Sequence, residues 1–451
     1  MSDFSLTLVL QIKTSKIIHD MAKVQQKSEK ITAFGGIFFV LDKFDSILSS
    51  VIDSHLGLRS TLTGYQYSEI IRAIFSVFCC GGDCMEDLNL YLKDVLTERP
   101  HTRVPSADTV LRGIEELATE NISYTAEKTG NVYDFNTAEK LNQLLIKLLL
   151  ATGQLTEGGA YDVDFDHQFL EADKYDSKRT YKGFDGYSPG VFTIGGLIAY
   201  LENRDGNCNV RFKQAETHRR FFEMMRSFGI HVRSFRADCG SYSEDIVKVV
   251  MEHTEKFYIR AERYAGLYEK VKRQTGWTTV EIGFQHYDVQ SFPFESFEDV
   301  KHCRLVVQRQ RKQKGEQLDL FDGEYTYRCI LTNDYEPSVR EIVEFYNLRG
   351  GKERIFDDMN NGFGWSRLPK SFMAENTVFL LLTALIRNFY KVIIQRLDVK
   401  RFGPNKTSRI KAFVFRFVSV PAKWIRTSRW YVLNIYTCNN AYADVFQTDF
   451  G

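Results

Sequence analysis

Ala160-Tyr-Asp-Val-Asp-Phe-Asp166 alternates strictly between apolar or aromatic residues and acids, which is the period of a β-strand. One face of that strand carries Tyr161, Val163 and Phe165, and the other Asp162, Asp164 and Asp166. Three carboxylates spaced about 7 Å apart along one face repel one another, and burying them unpaired is prohibitive, so something cationic is expected beside them. D-x-D-x-D also begins an EF-hand calcium loop, but here the sixth position is His167 rather than Gly and the twelfth is Asp173 rather than Glu. The strand reading therefore stands, and it turns the chain from an all-helical into an α/β one.

Outward from this strand the pattern differs on its two sides. Residues 31–150 read as mostly helical: 67–80, a turn at Gly81-Gly82-Asp83, then 85–96, then 109–117 with cap chemistry in Pro105-Ser-Ala-Asp108. Three short helices and a glycine turn are compatible with a helix-turn-helix, and equally with plain packing or dimerisation. On the other side, 191–201, a turn at 203–206 and 209–212 predict a β-hairpin, followed by a helix over 215–228. Residues 230–238 predict a strand ending in Asp238, then a Cys239-Gly-Ser turn and a helix over 244–256. An acid at the carboxyl end of a strand is where α/β sheets commonly keep their chemistry. A strand at 257–261 follows, and 264–325 is strand-rich and reads as an insertion.

A second acidic motif lies beyond it, in Tyr346-Asn-Leu-Arg349-Gly-Gly-Lys-Glu353-Arg-Ile-Phe-Asp-Asp-Met-Asn360. On one continuous helix Tyr346, Arg349, Glu353 and Asn360 fall at about 0°, 300°, 340° and 320° around the axis, a single polar stripe. Two strand acids and one helix acid that converge would suit two Mg²⁺ ions, with Mn²⁺ as substitute, in phosphoryl transfer. Arg349 could approach phosphate, and Tyr346 could bind phosphate or orient an acid.

Composition narrows the alternatives. The chain has 451 residues, 43% of them hydrophobic and 14% aromatic, as in a globular protein. Eight scattered cysteines form no compact disulfide framework, which fits a reducing cytoplasm, and Cys79-Cys80-Gly-Gly-Asp-Cys84 reads as packed thiols rather than a zinc site. No apolar run of bilayer length and no signal peptide is expected; Met21 offers an alternative start to Met1, and a strand-like stretch covers 6–12. Net charge is only +1, but from Arg387 to Trp430 twelve Lys/Arg face one acid, Asp398. That basic tail is expected to contact DNA, although its aromatics (Phe413, Phe415, Phe417, Trp424, Trp430) could equally be core.

The motifs together resemble the DDE transposases of bacterial insertion sequences, in particular the branch with a Y-x2-R-x3-E-x6-K signature. Tyr346, Arg349 and Glu353 match it, and Asn360 stands at the lysine position. Tyr161-Asp-Val-Asp-Phe-Asp-His-Gln168, Lys178-Arg-Thr-Tyr-Lys-Gly-Phe-Asp-Gly-Tyr187, Glu202-Asn-Arg-Asp-Gly206 and Arg236-Ala-Asp238 resemble the insertion-sequence family thirteen-eighty. The resemblance implies an α/β fold with an RNase H-like catalytic core and a β-rich insertion, an α-helical N-terminal domain and a basic C-terminal tail. The expected segments are 1–30, 31–150, 151–263, 264–325, 326–395 and 396–451. It implies Asp166, Asp238 and Glu353 as catalytic, metal-holding acids, with Asp164 as the alternate first acid, and Asp162 supporting the strand or pairing with a basic group. Asp166-His-Gln168 fits the residues that usually follow the first acid. The implied reaction is cleavage at terminal inverted repeats and strand transfer into target DNA by a homodimer on paired ends, in a bacterial cytoplasm, with no membrane and no nucleotide cofactor. A catalytically inactive DNA-binding descendant, or a nuclease without strand transfer, remains the alternative.

Overall fold

The computed structural model describes residues 25–60, 63–312, 324–448 and 450. The strand-like stretch 6–12, the Met21 start and much of the polar run 308–317 lie outside them. Contacts divide the chain at Ile31; before it, residues 25–31 carry no helix or strand, and from Thr32 on the chain is one compact unit.

The first third is helical: α1 (Ile37–Ile47), α2 (Ser49–Leu56), α3 (Tyr67–Cys79), a π-helical turn (Leu88–Leu92) running into α4 (Lys93–Thr97), and α5 (Ala107–Glu116). Gln66 and Glu69 close a reciprocal capping box on α3, and Ser106 caps α5, each satisfying amides that a helix start leaves unpaired. An antiparallel pair, β1 (Ile122–Thr125) and β2 (Val132–Asn136), precedes α6 (Glu139–Ala151). Cys79 and Cys80 are buried, and burial pushes both thiols well up, as packed thiols should behave, whereas Cys84 is exposed.

Next come β3 (Ala160–His167), a small sheet of β4 (Leu170–Glu171), β5 (Lys178–Arg179) and β6 (Asp185–Tyr187), then β7 (Gly190–Ile194) and β8 (Leu197–Arg204). The β7–β8 turn is Gly195-Gly196, both with positive φ, not the expected 203–206, and 209–212 is no strand. Two consecutive left-handed residues make a tight hairpin turn, for which glycine is the cheapest choice. The chain continues through α7 (Gln214–Ser227), β9 (His231–Ala237), α8 (Glu244–His253), β10 (Lys256–Arg260), α9 (Ala265–Lys272), β11 (Thr278–Ile282), β12 (Gln285–Phe294), β13 (Cys303–Arg311) and β14 (Tyr325–Thr332). It ends with α10 (Val339–Asn347), a 3₁₀ turn (Leu348–Gly351), α11 (Lys352–Gly362), α12 (Met373–Arg396), α13 (Ile410–Phe413), the hairpin β15 (Ala422–Arg426) and β16 (Tyr431–Ile435), and α14 (Ala441–Val445).

Eleven strands form one mixed sheet in the order β1-β2-β8-β7-β3-β9-β10-β14-β13-β12-β11. Among the described residues only β3–β9 and β9–β10 are parallel. The centre, β8-β7-β3-β9-β10, is three antiparallel strands followed by two parallel ones, consistent with an RNase H-like core, and the strands of 264–325 extend this same sheet. Helices α7 and α8 cover one face, where Val163, Phe165, Phe235 and Ala237 enter their core. α12 is long and apolar enough to cross a bilayer, yet its apolar window is almost wholly buried between the N-terminal helices and the C-terminal segment. It serves as a core helix.

Candidate active site

The strand alternation carries the acids to the face opposite α7 and α8. β3 and β9 pair in parallel, with Asp162 beside Ser234 and Asp164 beside Arg236. The paired register ends there; Asp166, near the end of β3, and Asp238, one residue past β9, both act on the Arg349 guanidinium. The cationic partners expected from the sequence are all present, and each acid has a different one.

Asp162 accepts hydrogen bonds from Arg233 Nε and Nη2 (3.0 and 2.7 Å) and Ser234 Oγ (2.8 Å). Burial works to raise its carboxyl, but those bonds outweigh it and hold the group below the usual carboxylate range. Asp164 is buried and takes Arg236 Nε and Nη2 at 2.7 and 3.0 Å, while Arg236 Nη1 donates to the Phe345 carbonyl at 2.7 Å. Asp166 accepts from Arg349 Nη2 at 2.7 Å and from the His167 amide at 2.9 Å. Asp238 caps the short turn Cys239–Ser241 by accepting the Gly240 amide at 2.9 Å.

Helix α10 brings Arg349 and Tyr346 to this edge. Ser338 and Glu341 close its capping box, and Ile342, Val343 and Tyr346 pack on Tyr258, Val306 and Ile330 of the sheet. The Tyr346 hydroxyl donates to the Ala237 carbonyl at 3.2 Å, one residue before Asp238, and burial pushes its phenol up to about 12. Burial alone would lower the Arg349 guanidinium; the fields of Asp166, Tyr346, Asp238 and Asp164 more than offset it and raise the group. Its Nε is buried without a partner.

A cleft of about 370 Å³ is bordered by Asp162, Asp164, Arg236, Leu348, Gly351 and Ile355.

The continuous helix expected over 346–360 is broken. α10 stops at Asn347, Leu348–Gly351 is a 3₁₀ turn, and α11 starts afresh at Lys352. Gly350-Gly351 disfavours a continuous α-helix, and the tighter turn rotates everything after it out of the stripe. Tyr346 and Arg349 reach the strand acids; Glu353 is exposed on the first turn of α11. Asn360 is half-buried, with its side-chain oxygen buried and unpartnered and its carbonyl accepting from Ser366 Oγ at 2.8 Å. Among the described residues no group of three His, Cys, Asp or Glu is arranged to hold a metal ion. Asp166 and Asp238, both near Arg349, are the hard oxygen donors that suit a divalent cation, and Glu353 is exposed on another element.

Reading the acids alone overlooked Arg233 and Arg236. A signal existed: Ser234, Arg236 and Asp238 alternate as Asp162, Asp164 and Asp166 do, so a parallel pairing matches them one to one.

A family model described as "Transposase DDE domain" matches residues 157–389. Among solved structures, a cryo-EM structure of a piggyBac transposase synaptic complex with hairpin DNA is similar at 11% identity, covering 85% of this chain and 78% of that one, with a TM-score of 0.43. No curated protein matches the chain.

Proposed function

The chain belongs to the transposase DDE domain family, and from that premise we propose that it is an insertion-sequence transposase, which binds terminal inverted repeats and catalyses metal-dependent DNA cleavage and strand transfer. The observation that carries the chemistry is that Asp166 and Asp238, at the carboxyl ends of two neighbouring parallel strands, both act on the Arg349 guanidinium.

Asp166 and Asp238, joined by Glu353 once the first turn of α11 is brought to them, would hold Mg²⁺ or Mn²⁺, which would supply activation of the attacking water or 3′-hydroxyl and neutralise charge at the phosphate. Asp166 is favoured over Asp164 as first acid because Asp164 spends both oxygens on Arg236. Tyr346 steadies the strand end that carries Asp238, through its bond to the Ala237 carbonyl. Arg349 balances the charge of Asp166 and Asp238, and its guanidinium is a counter-charge that a phosphate could share.

Residues 31–150 and 396–451 would share DNA contacts and dimerisation, with two protomers joining two element ends in a bacterial cytoplasm. A membership of family thirteen-eighty belongs to this same reading. The test is cleavage and joining of labelled DNA flanking the gene, with Mg²⁺ or Mn²⁺, by the unaltered protein, D238N and E353Q. Cutting and joining that both substitutions abolish in folded protein supports the assignment; cutting without joining selects a nuclease. A second reading, a catalytically silent DNA-binding descendant, is favoured by Glu353 lying outside the acid pair. Binding with no cut product in either metal selects it.

A further inference from the structure

Residues 399–443 contain nine Lys/Arg and no acid, and the fold splits their aromatics into two kinds. Phe413 and Phe417 are fully buried, and Trp424 and Leu433 pack against the main core. Trp430, by contrast, is 73% exposed. An indole left in water gives up the burial that aromatic side chains normally contribute, so its position invites a partner.

The surrounding hairpin holds that indole out firmly. At the base, Ala422 exchanges both backbone hydrogen bonds with Thr32 (2.9 and 3.0 Å), and the Trp424 ring meets Phe38 edge-on with centroids 5.4 Å apart. Five residue pairs run from Ala422↔Ile435 to Arg426↔Tyr431. At the tip, the Thr427 amide donates to the Trp430 carbonyl (2.8 Å) and the Trp430 amide to Thr427 Oγ1 (3.0 Å), closing the turn. The Arg426 guanidinium lies 5.6 Å over the Tyr431 ring, and His101 meets the other side of the hairpin's end through that same ring at 5.9 Å. Arg429 and Trp430 project from a turn that the backbone bonds already fix.

The charges choose between occupants. Isologous contact with a second copy would set Arg426 and Arg429 against their own counterparts, which like charges oppose. A polyanion meets no such opposition. A two-stranded ribbon also fits a DNA groove, and an apolar side chain at its tip can pack on a base step.

We propose that the β15–β16 hairpin is a DNA-contact ribbon in which Trp430 packs on a base step of the duplex while Arg426 and Arg429 hold the flanking phosphates. The inference rests on the reading of the chain as a DNA transposase and assigns that reading a contact residue outside the acid site.

The test measures affinity of the full chain for a fluorescein-labelled mixed-sequence duplex of about 30 base pairs, across a range of salt concentrations. W430A is expected to weaken binding about tenfold without changing the slope of log affinity against log salt, because stacking releases no counterions. R429A is expected to lower that slope by about one, and W430F to recover most of the affinity lost in W430A. Circular-dichroism melting of W430A should match the unaltered protein, since the indole is exposed. Unchanged affinity in W430A, while the unaltered protein binds, overturns the ribbon alone. So does a W430A protein that keeps its affinity but loses a dimer seen by sedimentation velocity, which assigns the face to a second copy. If the unaltered protein shows no salt-dependent binding at all, the transposase reading falls with it.

Discussion

Arg236 closes a two-bonded ion pair on Asp164, at 2.7 and 3.0 Å, with both side chains buried at the centre of the sheet. Two residues further on, Asp166 near the end of β3 and Asp238 just past β9 share the field of a different cation, Arg349, from another element. The two sets of acids therefore differ in kind: the first is a structural pair between neighbouring strands, the second depends on a residue that can be exchanged for another cation.

Removing half of the structural pair should cost stability. D164N leaves Arg236 buried without its counter-charge, and chemical denaturation should show a loss of roughly 3–5 kcal/mol. D166N removes one acid from the field of Arg349 but leaves Asp238 and Asp164 acting on it, so it should cost less stability than D164N while abolishing DNA cleavage. Equal destabilisation by the two substitutions contradicts the distinction between the two sets.

Arg349 should be the hinge of metal response. In R349Q the two acids lose their shared counter-charge, so the thermal midpoint in metal-free buffer should fall, and Mg²⁺ should restore more of it than it adds to the unaltered protein. Single-turnover cleavage should drop by about 10²-fold or more for want of a preorganised donor. A Mg²⁺-induced shift no larger than that of the unaltered protein would count against the arrangement.

Asp205, in the Glu202-Asn-Arg-Asp-Gly206 motif, gives a pH dependence. Burial raises its carboxyl from 3.8 to about 6, more than the hydrogen bond from the Asp134 amide lowers it. The folded chain thus holds a proton that the unfolded chain releases between those values. This group's contribution is greatest below pH 4 and is lost as pH rises through about 6. D205N, which keeps an acceptor for Asp134, should flatten that slope and raise stability at pH 7 by about 1–3 kcal/mol. Urea denaturation at pH 4.5 and 7 checks the sign.

Two glycines of the Lys178–Tyr187 motif should respond unequally. A Cβ on Gly186 would stand 1.9 Å from the Leu170 carbonyl oxygen, which is backbone and cannot yield, so G186A should break the β4–β6 pairing. Gly183 has φ +90° and nothing within 4 Å of an added Cβ, so G183A should cost only the left-handed backbone penalty of about 1–2 kcal/mol. Thermal melting of the two variants side by side measures the difference.

Local periodicity made much of this molecule legible. The alternation from Ala160 to Asp166 determined a strand with an acid face, the helical period determined the first third, and the repulsion among three carboxylates required cations beside them. Strand order was not legible, because which strands pair depends on contacts between residues far apart in sequence; only the β3–β9 register reveals that Asp164 belongs to Arg236, and only the packing of α10 brings Arg349 to Asp166 and Asp238. The β7–β8 turn was misread for a related reason. Asn203–Gly206 has turn composition, but Leu197–Arg204 gains more by pairing along its whole length with β7 and β2, so the chain turns at Gly195-Gly196. The 346–360 stripe failed at Gly350-Gly351, where a 3₁₀ turn keeps Tyr346 and Arg349 at the acids and carries Glu353 to the surface. The sequence by itself determined which residues carry charge and on which face of each element they lie; the tertiary structure alone decided which charges meet, because strand register and helix phase are settled by packing across the whole sheet.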